Sequence, residues 1–443
     1  MAGTRRDVIK GTAVAAASVL ATGVAATGSA AVADGRLPVA LIGCGGMGRG
    51  HLERLVKRDD VRVTHLCDVD AERLAAARKI VVDSGAQEPH ATADLRETLA
   101  DPALVAVWIA TPDHWHGPAA ILAADAGKHV YVEKPAAHNV REGRLMVEAA
   151  RRTKVVMQVG TQSRSAPVIR RAIERLRSGA IGEVLVAKAW NSQRRGSIGR
   201  AQPTDPPAGL HYDHWVGPAA WQPYQKNLLP GVWRFWRNFG CGDIGNDGVH
   251  EIDIARWGLG VDTHPDLVAG LGGTYFFDDD QQFPDTQYCV WEWPGENGRR
   301  RQLVFEQRDW SPYVQEGQEN GNAFYGTKGM LILGKRSGWQ LYGERNKLLE
   351  EEQGNVDIGP HHDDFLDCIR RGATAGAAGD RAHADIEEGH RSAVLVHLGT
   401  IACRLRRTVA FDAAAERVIG DDEAQGLLGR AYRPDHWAVP RGT

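Results

Sequence analysis

Short runs rich in aliphatic and β-branched residues alternate with amphipathic stretches through the first third of the chain. Leu37-Pro38-Val39-Ala40-Leu41-Ile42, Val61 to Cys67, Ala103 to Ala110, Lys128 to Val132 and Val155 to Gly160 have the pattern of strands buried in a parallel sheet. Helices are expected between them, from about His51 to Arg58 and from Asp113, read as an N-cap, to about Ala126. Past Ile181 strands dominate: Glu183 to Trp190, Leu267 to Phe277, Thr286 to Trp293 and Arg301 to Gln307. Helices are expected from about Pro167 to Ser178, from His361 to Arg371, and over Ala384 to Cys403 with a core-facing apolar stripe. The expected fold class is α/β. An N-terminal Rossmann domain with a parallel sheet covers residues 36–160, and an α+β domain with a large, mostly antiparallel open sheet covers residues 161–443. An open sheet face calls for a cover, which favours a homo-oligomer, dimer or tetramer.

The first residues break this pattern. Thr4-Arg5-Arg6-Asp7-Val8-Ile9-Lys10 has the twin-arginine form, residues 11–33 carry no charge, and Ala31-Val32-Ala33 offers a cleavage site before Asp34. Residues 1–33 read as a signal that exports the protein to the periplasm or beyond the cytoplasm. The stretch is long enough to span a bilayer, but it is poor in Leu, Ile and Phe, so no stable membrane insertion is expected after cleavage.

Composition narrows the function classes. The chain of 443 residues exceeds one ordinary core. Its 53 basic and 56 acidic side chains nearly cancel and leave no footprint for nucleic acid. Six scattered cysteines form no CxxC pair, so no metal site is expected from them, and Cys44 and Cys67 read as small core residues. In an exported protein a disulfide stays open.

The first strand runs into Gly43-Cys44-Gly45-Gly46-Met47-Gly48, a GxGxxG turn. Its glycines permit the tight turn, the approach of backbone to a pyrophosphate and close helix packing. The second strand ends at Asp68, placed to accept the adenosine ribose 2′-hydroxyl, which favours NAD; Arg73 leaves NADP possible. Thr111-Pro112 ends another strand, and His114 and His116 follow at the helix start. Either histidine is placed to touch the nicotinamide ribose or to sit at the surface.

Lys128 to Val132 leads into Glu133-Lys134-Pro135. With the glycine turn, Asp68, Thr111-Pro112, Pro284-Asp285-Thr286 and Phe324 to Gly329, this order of motifs resembles the glucose–fructose oxidoreductase / inositol dehydrogenase (Gfo/Idh/MocA) family over essentially the whole mature chain. The resemblance implies that Lys134 lies beside the nicotinamide ring and the substrate hydroxyl, that Glu133 lies near the nicotinamide ribose, and that the Lys134–Pro135 peptide is cis. Chemistry asks for such a lysine independently, because hydride leaves a carbinol carbon only as its hydroxyl loses a proton.

Residues 194–239, rich in Pro, Gly, Trp and Arg, read as a functional loop or interface arm, with Trp215, Trp221, Trp233 and Trp236 able to line a saccharide pocket or anchor the arm. In Gly242 to Asp253 the family's D-x-G-x-H pattern is matched at Gly248 and His250, but its Asp position holds Asn246. If the stretch is helical, Asp243, Asn246, Asp247 and His250 share a face, and Asp243 or Asp247 would orient His250. Asn246 can hydrogen-bond a hydroxyl but cannot be a base. His250 is the second catalytic candidate, Asp253 and Arg256 read as an i,i+3 pair, and His361-His362-Asp363-Asp364 read as solvated helix-start residues. The leading expectation is an oxidoreductase acting on CH–OH groups of a carbohydrate with bound NAD. A redox-neutral enzyme that cleaves glycosides, or a sugar-binding protein on a retired enzyme fold, are the alternatives.

Overall fold

The computed structural model describes residues 35–295, 298–373 and 381–443. The expected signal, residues 1–33, lies outside the described residues. Strands β1 (Leu37–Ile42), β2 (Val61–Cys67), β3 (His90–Thr92), β4 (Ala106–Ile109), β5 (His129–Val132) and β6 (Met157–Val159) form an all-parallel sheet. Their order is β3-β2-β1-β4-β5-β6, so the winding reverses between β1 and β4 and leaves a crevice at their carboxyl ends. Helices α1 (Gly46–Leu55), α2 (Ala71–Asp83), α3 (Leu95–Ala100), α4 (Asp113–Asp125) and α5 (Val140–Thr153) make the crossovers.

Helix α1 begins inside the glycine turn rather than at His51. Glycine's low helix propensity hides that start, and tertiary packing against β4 imposes it. Asp113 does not cap α4: Pro112 holds that position, and the buried Asp113 carboxylate accepts the Cys241 N–H at 3.0 Å.

After α6 (Pro167–Arg177), ten strands build the second sheet: β7 (Val184–Asn191), β8 (Leu267–Gly273), β9 (Thr286–Pro294), β10 (Arg300–Arg308), β11 (Asn320–Gly326), β12 (Met330–Gly334), β13 (Gly338–Tyr342), β14 (Leu348–Glu352), β15 (Val409–Asp412) and β16 (Arg417–Ile419). Only β7 and β10 pair in parallel. Helices α7 (Tyr212–Val216), α8 (Val249–Leu259), α9 (Gly359–Arg370), α10 (Ile386–Leu405) and α11 (Asp422–Gly426) complete the domain. Helix α10 is buried on all sides rather than along one stripe, because it runs between the two sheets. Gly389 and Gly399 permit this: a Cβ there would meet Val159 at 2.3 Å and Trp291 at 2.7 Å. The other face of the large sheet is open and exposes Leu271, Tyr288 and Tyr325.

Two polar expectations are corrected. Asp253 does not mainly serve Arg256, which is 4.0 Å away; it grips Arg164 and accepts the Ser392 hydroxyl, while Arg256 pairs with Glu388. His361 and His362 are buried, not solvated, since α9 packs its first turn against the Rossmann core.

Candidate active site

The glycine turn is fixed by close approach. Gly43 has φ +90°, and a Cβ there would lie 2.6 Å from the Ala110 carbonyl oxygen. A Cβ on Gly48 would lie 1.8 Å from the Gly43 carbonyl oxygen. At the end of β2, Asp68 accepts the Cys44 N–H at 2.6 Å and the Asp70 N–H at 2.9 Å, tying the turn to the second strand. Burial raises the Asp68 carboxyl above its ordinary value against the opposing pull of those N–H groups and Arg73. Arg73 pairs with Asp70, and its guanidinium lies 2.8 Å from where a Gly45 Cβ would be.

A cavity of about 670 Å³ runs from this turn along the carboxyl ends of the strands. Gly43, Gly45, Gly46, Met47, Asp68, Thr111, Pro112, His116, Glu133, Lys134 and Asn246 all line it, so the structure brings together every predicted cofactor residue except Gly48, which packs beneath the turn. His116 is held between the carbonyls of Pro135 (2.7 Å) and Thr111 (3.0 Å). His114 is buried away from the cavity against the Trp215 carbonyl at 2.8 Å. Neither is a surface residue.

At the inner end the Lys134–Pro135 peptide is cis. The Lys134 Nζ donates to the Asn246 main-chain carbonyl at 2.8 Å and lies 3.5 Å from its Oδ1. The Asn246 Nδ2 donates to Asp243 at 3.0 Å. Ile244–Gly248 is a single π-helical turn ahead of α8, a feature frequent at functional sites. Its wider winding breaks the expected common face. Asp243 accepts from Asn191 at 3.0 Å and from Arg195, and Asp247 pairs with Arg195, so neither carboxylate is hydrogen-bonded to His250. Burial pushes the Asp247 carboxyl up, but Arg195, Lys134 and Lys335 outweigh it and hold it below the ordinary value. His250 lies beyond the cavity lining; burial, with Lys335 and Lys134 nearby, holds its imidazole neutral by lowering its pKa well below the usual range.

Sequence reasoning missed Arg195, which brackets the π turn from an aperiodic segment, and His51, whose Nε2 lies 3.0 Å from Glu133. The position of His51 in the helix that follows GxGxxG was the signal available for it.

Residues 194–239 form a strap over the groove. Ala71 N–H donates to the Gly209 carbonyl (3.0 Å) and His211 N–H to the Val69 carbonyl (2.9 Å), stitching the strap to the end of β2. Trp215 and Trp233 line the cavity; Trp236 is buried within the strap and Trp221 is exposed.

A second cluster lies away from the groove. His264 and His390 direct Nε2 at one Glu416 oxygen (2.8 and 2.9 Å), an arrangement of metal-ligand type. Arg144 pairs with the same carboxylate. A dication about 4 Å from that guanidinium would meet roughly 8 kcal/mol of repulsion at an effective dielectric of about 20. The cluster is therefore read as an ion-paired clamp joining α5, α10 and the β15–β16 turn.

A Rossmann crevice whose glycine turn leads along a covered groove to a lysine defines a nicotinamide-dependent oxidoreductase. The family profile "Oxidoreductase family, NAD-binding Rossmann fold" matches residues 37–161, and "Oxidoreductase family, C-terminal alpha/beta domain" matches residues 186–439. The chain belongs to the Gfo/Idh/MocA oxidoreductase family. It is 32% identical to levoglucosan dehydrogenase of Pseudarthrobacter phenanthrenivorans over 171 residues, 39% of this chain and 37% of that one. To scyllo-inositol 2-dehydrogenase (NAD(+)) of Bacillus subtilis it is 24% identical over 349 residues, 76% of this chain and 86% of that one. A glycosyl hydrolase family 109 protein of Shewanella pealeana shares 30% identity over 158 residues, 34% of each chain. The match thus spans about a third of two of these relatives. The solved structure of levoglucosan dehydrogenase with NADH superposes with a TM-score of 0.62 at 20% identity, covering 85% of this chain and 99% of that one.

Proposed function

We propose that the protein oxidises and reduces a CH–OH group of a sugar, polyol or glycoside, with NAD held in the groove through many turnovers. The carrying observation is the continuous cavity from the glycine turn to Lys134 and Asn246. NAD, when bound, supplies the acceptor for the carbinol hydride. Lys134, fixed by the Asn246 carbonyl, orients the reacting hydroxyl and polarises it. The hydroxyl proton is relayed through the Lys134 Nζ, which lines the cavity, with His250, behind the lining one helical turn beyond Asn246, as the second candidate acceptor. The strap covers the groove, excludes water and slows cofactor loss. The relatives' printed names support a carbohydrate or polyol substrate. Arg5-Arg6 supports export of the folded, cofactor-loaded enzyme, and the exposed apolar residues on the open sheet face support a homo-oligomer.

A redox-neutral variant, in which transient oxidation leads to glycoside cleavage and the cofactor is restored in place, is favoured by the covered groove, by Asn246 and by the family 109 relatives. The test is to purify the protein without added nucleotide, quantify dinucleotide released on denaturation, and follow absorbance near 340 nm with levoglucosan, scyllo-inositol and aryl glycosides. Lasting reduction supports the dehydrogenase. A changed sugar without lasting reduction supports the redox-neutral enzyme, and failure to bind any dinucleotide overturns both.

A further inference from the structure

The reaction outlined above does not use two buried imidazoles that connect to the cofactor groove. Glu133, which lines the cavity at the end of β5, is 4% exposed and has its Oε1 3.0 Å from the His51 Nε2. The His51 Nδ1 lies 2.9 Å from the His362 Nε2. His51 comes from α1 and His362 from α9, and each is 1% exposed. The rings of Tyr131 and Trp108 wall the His362 ring, and Tyr131 also edges His51. Gly160 leaves room for the carboxylate, since a Cβ there would stand 2.7 Å from Oε1.

The proton order follows from the carboxylate. An ionised Glu133 only accepts, so His51 donates from Nε2, and its bare Nδ1 accepts the Nε2–H of His362. We propose that His51 and His362 are positioning residues of the cofactor site, in series: they hold the Glu133 carboxylate ionised and aimed into the groove. Facing Glu133 are His51, Lys134 and His116; facing His362 are His51, His361, Arg58 and Arg54. Burial alone would push the Glu133 carboxyl up, but the hydrogen bond from His51, with Lys134 and His116 nearby, brings it below its ordinary value. Without His51, burial acts with less opposition. The carboxyl then takes up a proton at a higher pH than in the wild type, and the groove loses an anion beside Lys134.

This rests on the NAD-dependent reading. The test is the dissociation constant for NAD+ from pH 5.5 to 8.5, by equilibrium dialysis of the full chain against NAD+. The wild type should vary by less than about twofold across the range. His51→Leu should bind about tenfold more weakly at pH 5.5 than at pH 8.5, the loss expected for one charge-assisted hydrogen bond. His51→Gln keeps a donor to Glu133 and an acceptor for His362, and should recover most of the affinity at pH 5.5. His362→Leu serves as the parallel variant should His51→Leu not fold, with a smaller slope in the same direction. Weakening that is equal at every pH, or no weakening, overturns the proposal alone. A wild type that binds no NAD+ at any pH overturns it together with the cofactor reading.

Discussion

Acidification should unfold this protein well above the pH at which its ion pairs are lost, because neutral histidines are built into its interior. His114, His361, His362 and His397 are all buried, and burial, the leading cause for each, lowers their pKa values to about 3, 4, 2 and 4. The unfolded chain protonates the same groups near pH 6.5. Folded values are depressed, so the stability these groups confer is fully present above pH 6.5 and drains away as pH falls towards the folded values. At pH 5 each imidazole has cost about 2 kcal/mol, and the four about 8 kcal/mol. Glu251 works the other way: burial raises its pKa to about 7, so its protonation in the fold returns about 2–3 kcal/mol over the same interval. For these five groups together the loss between pH 8 and pH 5 is about 5 kcal/mol, comparable with the whole stability of many domains. Urea unfolding at pH 8, 7, 6 and 5, followed by tryptophan fluorescence, reads it directly as a falling midpoint at constant slope. His397→Gln should flatten the pH dependence by about one group's share. An unfolding free energy at pH 5 within 1 kcal/mol of that at pH 8 would refute the assignment of neutral buried imidazoles.

Two further outcomes concern the site and a third the buried ion pair behind it. Lys134→Ala should retain NAD but lower the rate of its reduction by 10²–10⁴-fold, read at 340 nm with a sugar that reduces the wild type; loss of bound NAD instead would make Lys134 a cofactor ligand only. Gly48→Ala forces a Cβ to within 1.8 Å of the Gly43 carbonyl oxygen, so the turn must open. It should cost about 1–3 kcal/mol of stability, measured by thermal unfolding, and leave the purified protein without dinucleotide. Arg164→Leu strands the buried Asp253 carboxylate, which should cost about 3–5 kcal/mol in urea unfolding.

The cofactor half of the site was legible in the sequence because its signals are local. A strand, a glycine turn and a carboxylate at the end of the next strand follow one another within about one βαβ unit. The substrate half was legible only in part. A 3.6-residue period placed Asp243, Asn246, Asp247 and His250 on one face, and the π turn over Ile244–Gly248 cancelled that inference by adding width to a single turn. Arg195, which draws both carboxylates away from His250, comes from the start of a segment without periodicity, where no pattern ties a residue to a partner. The buried histidines were misread for a related reason. At a helix start, polar residues are usually solvated, but α9 docks its first turn onto Tyr131 and Trp108, and His362 meets a partner 311 positions away in the chain. The Asn246 departure itself changes meaning in three dimensions. Lys134 bonds the main-chain carbonyl of residue 246, a group every residue type carries, while the side-chain amide passes the interaction on to Asp243. The negative charge found at this position in the family's pattern is thus kept one hydrogen bond farther from the lysine. That displacement leaves the lysine's anchor intact, because the main-chain carbonyl it bonds does not depend on the side chain at 246.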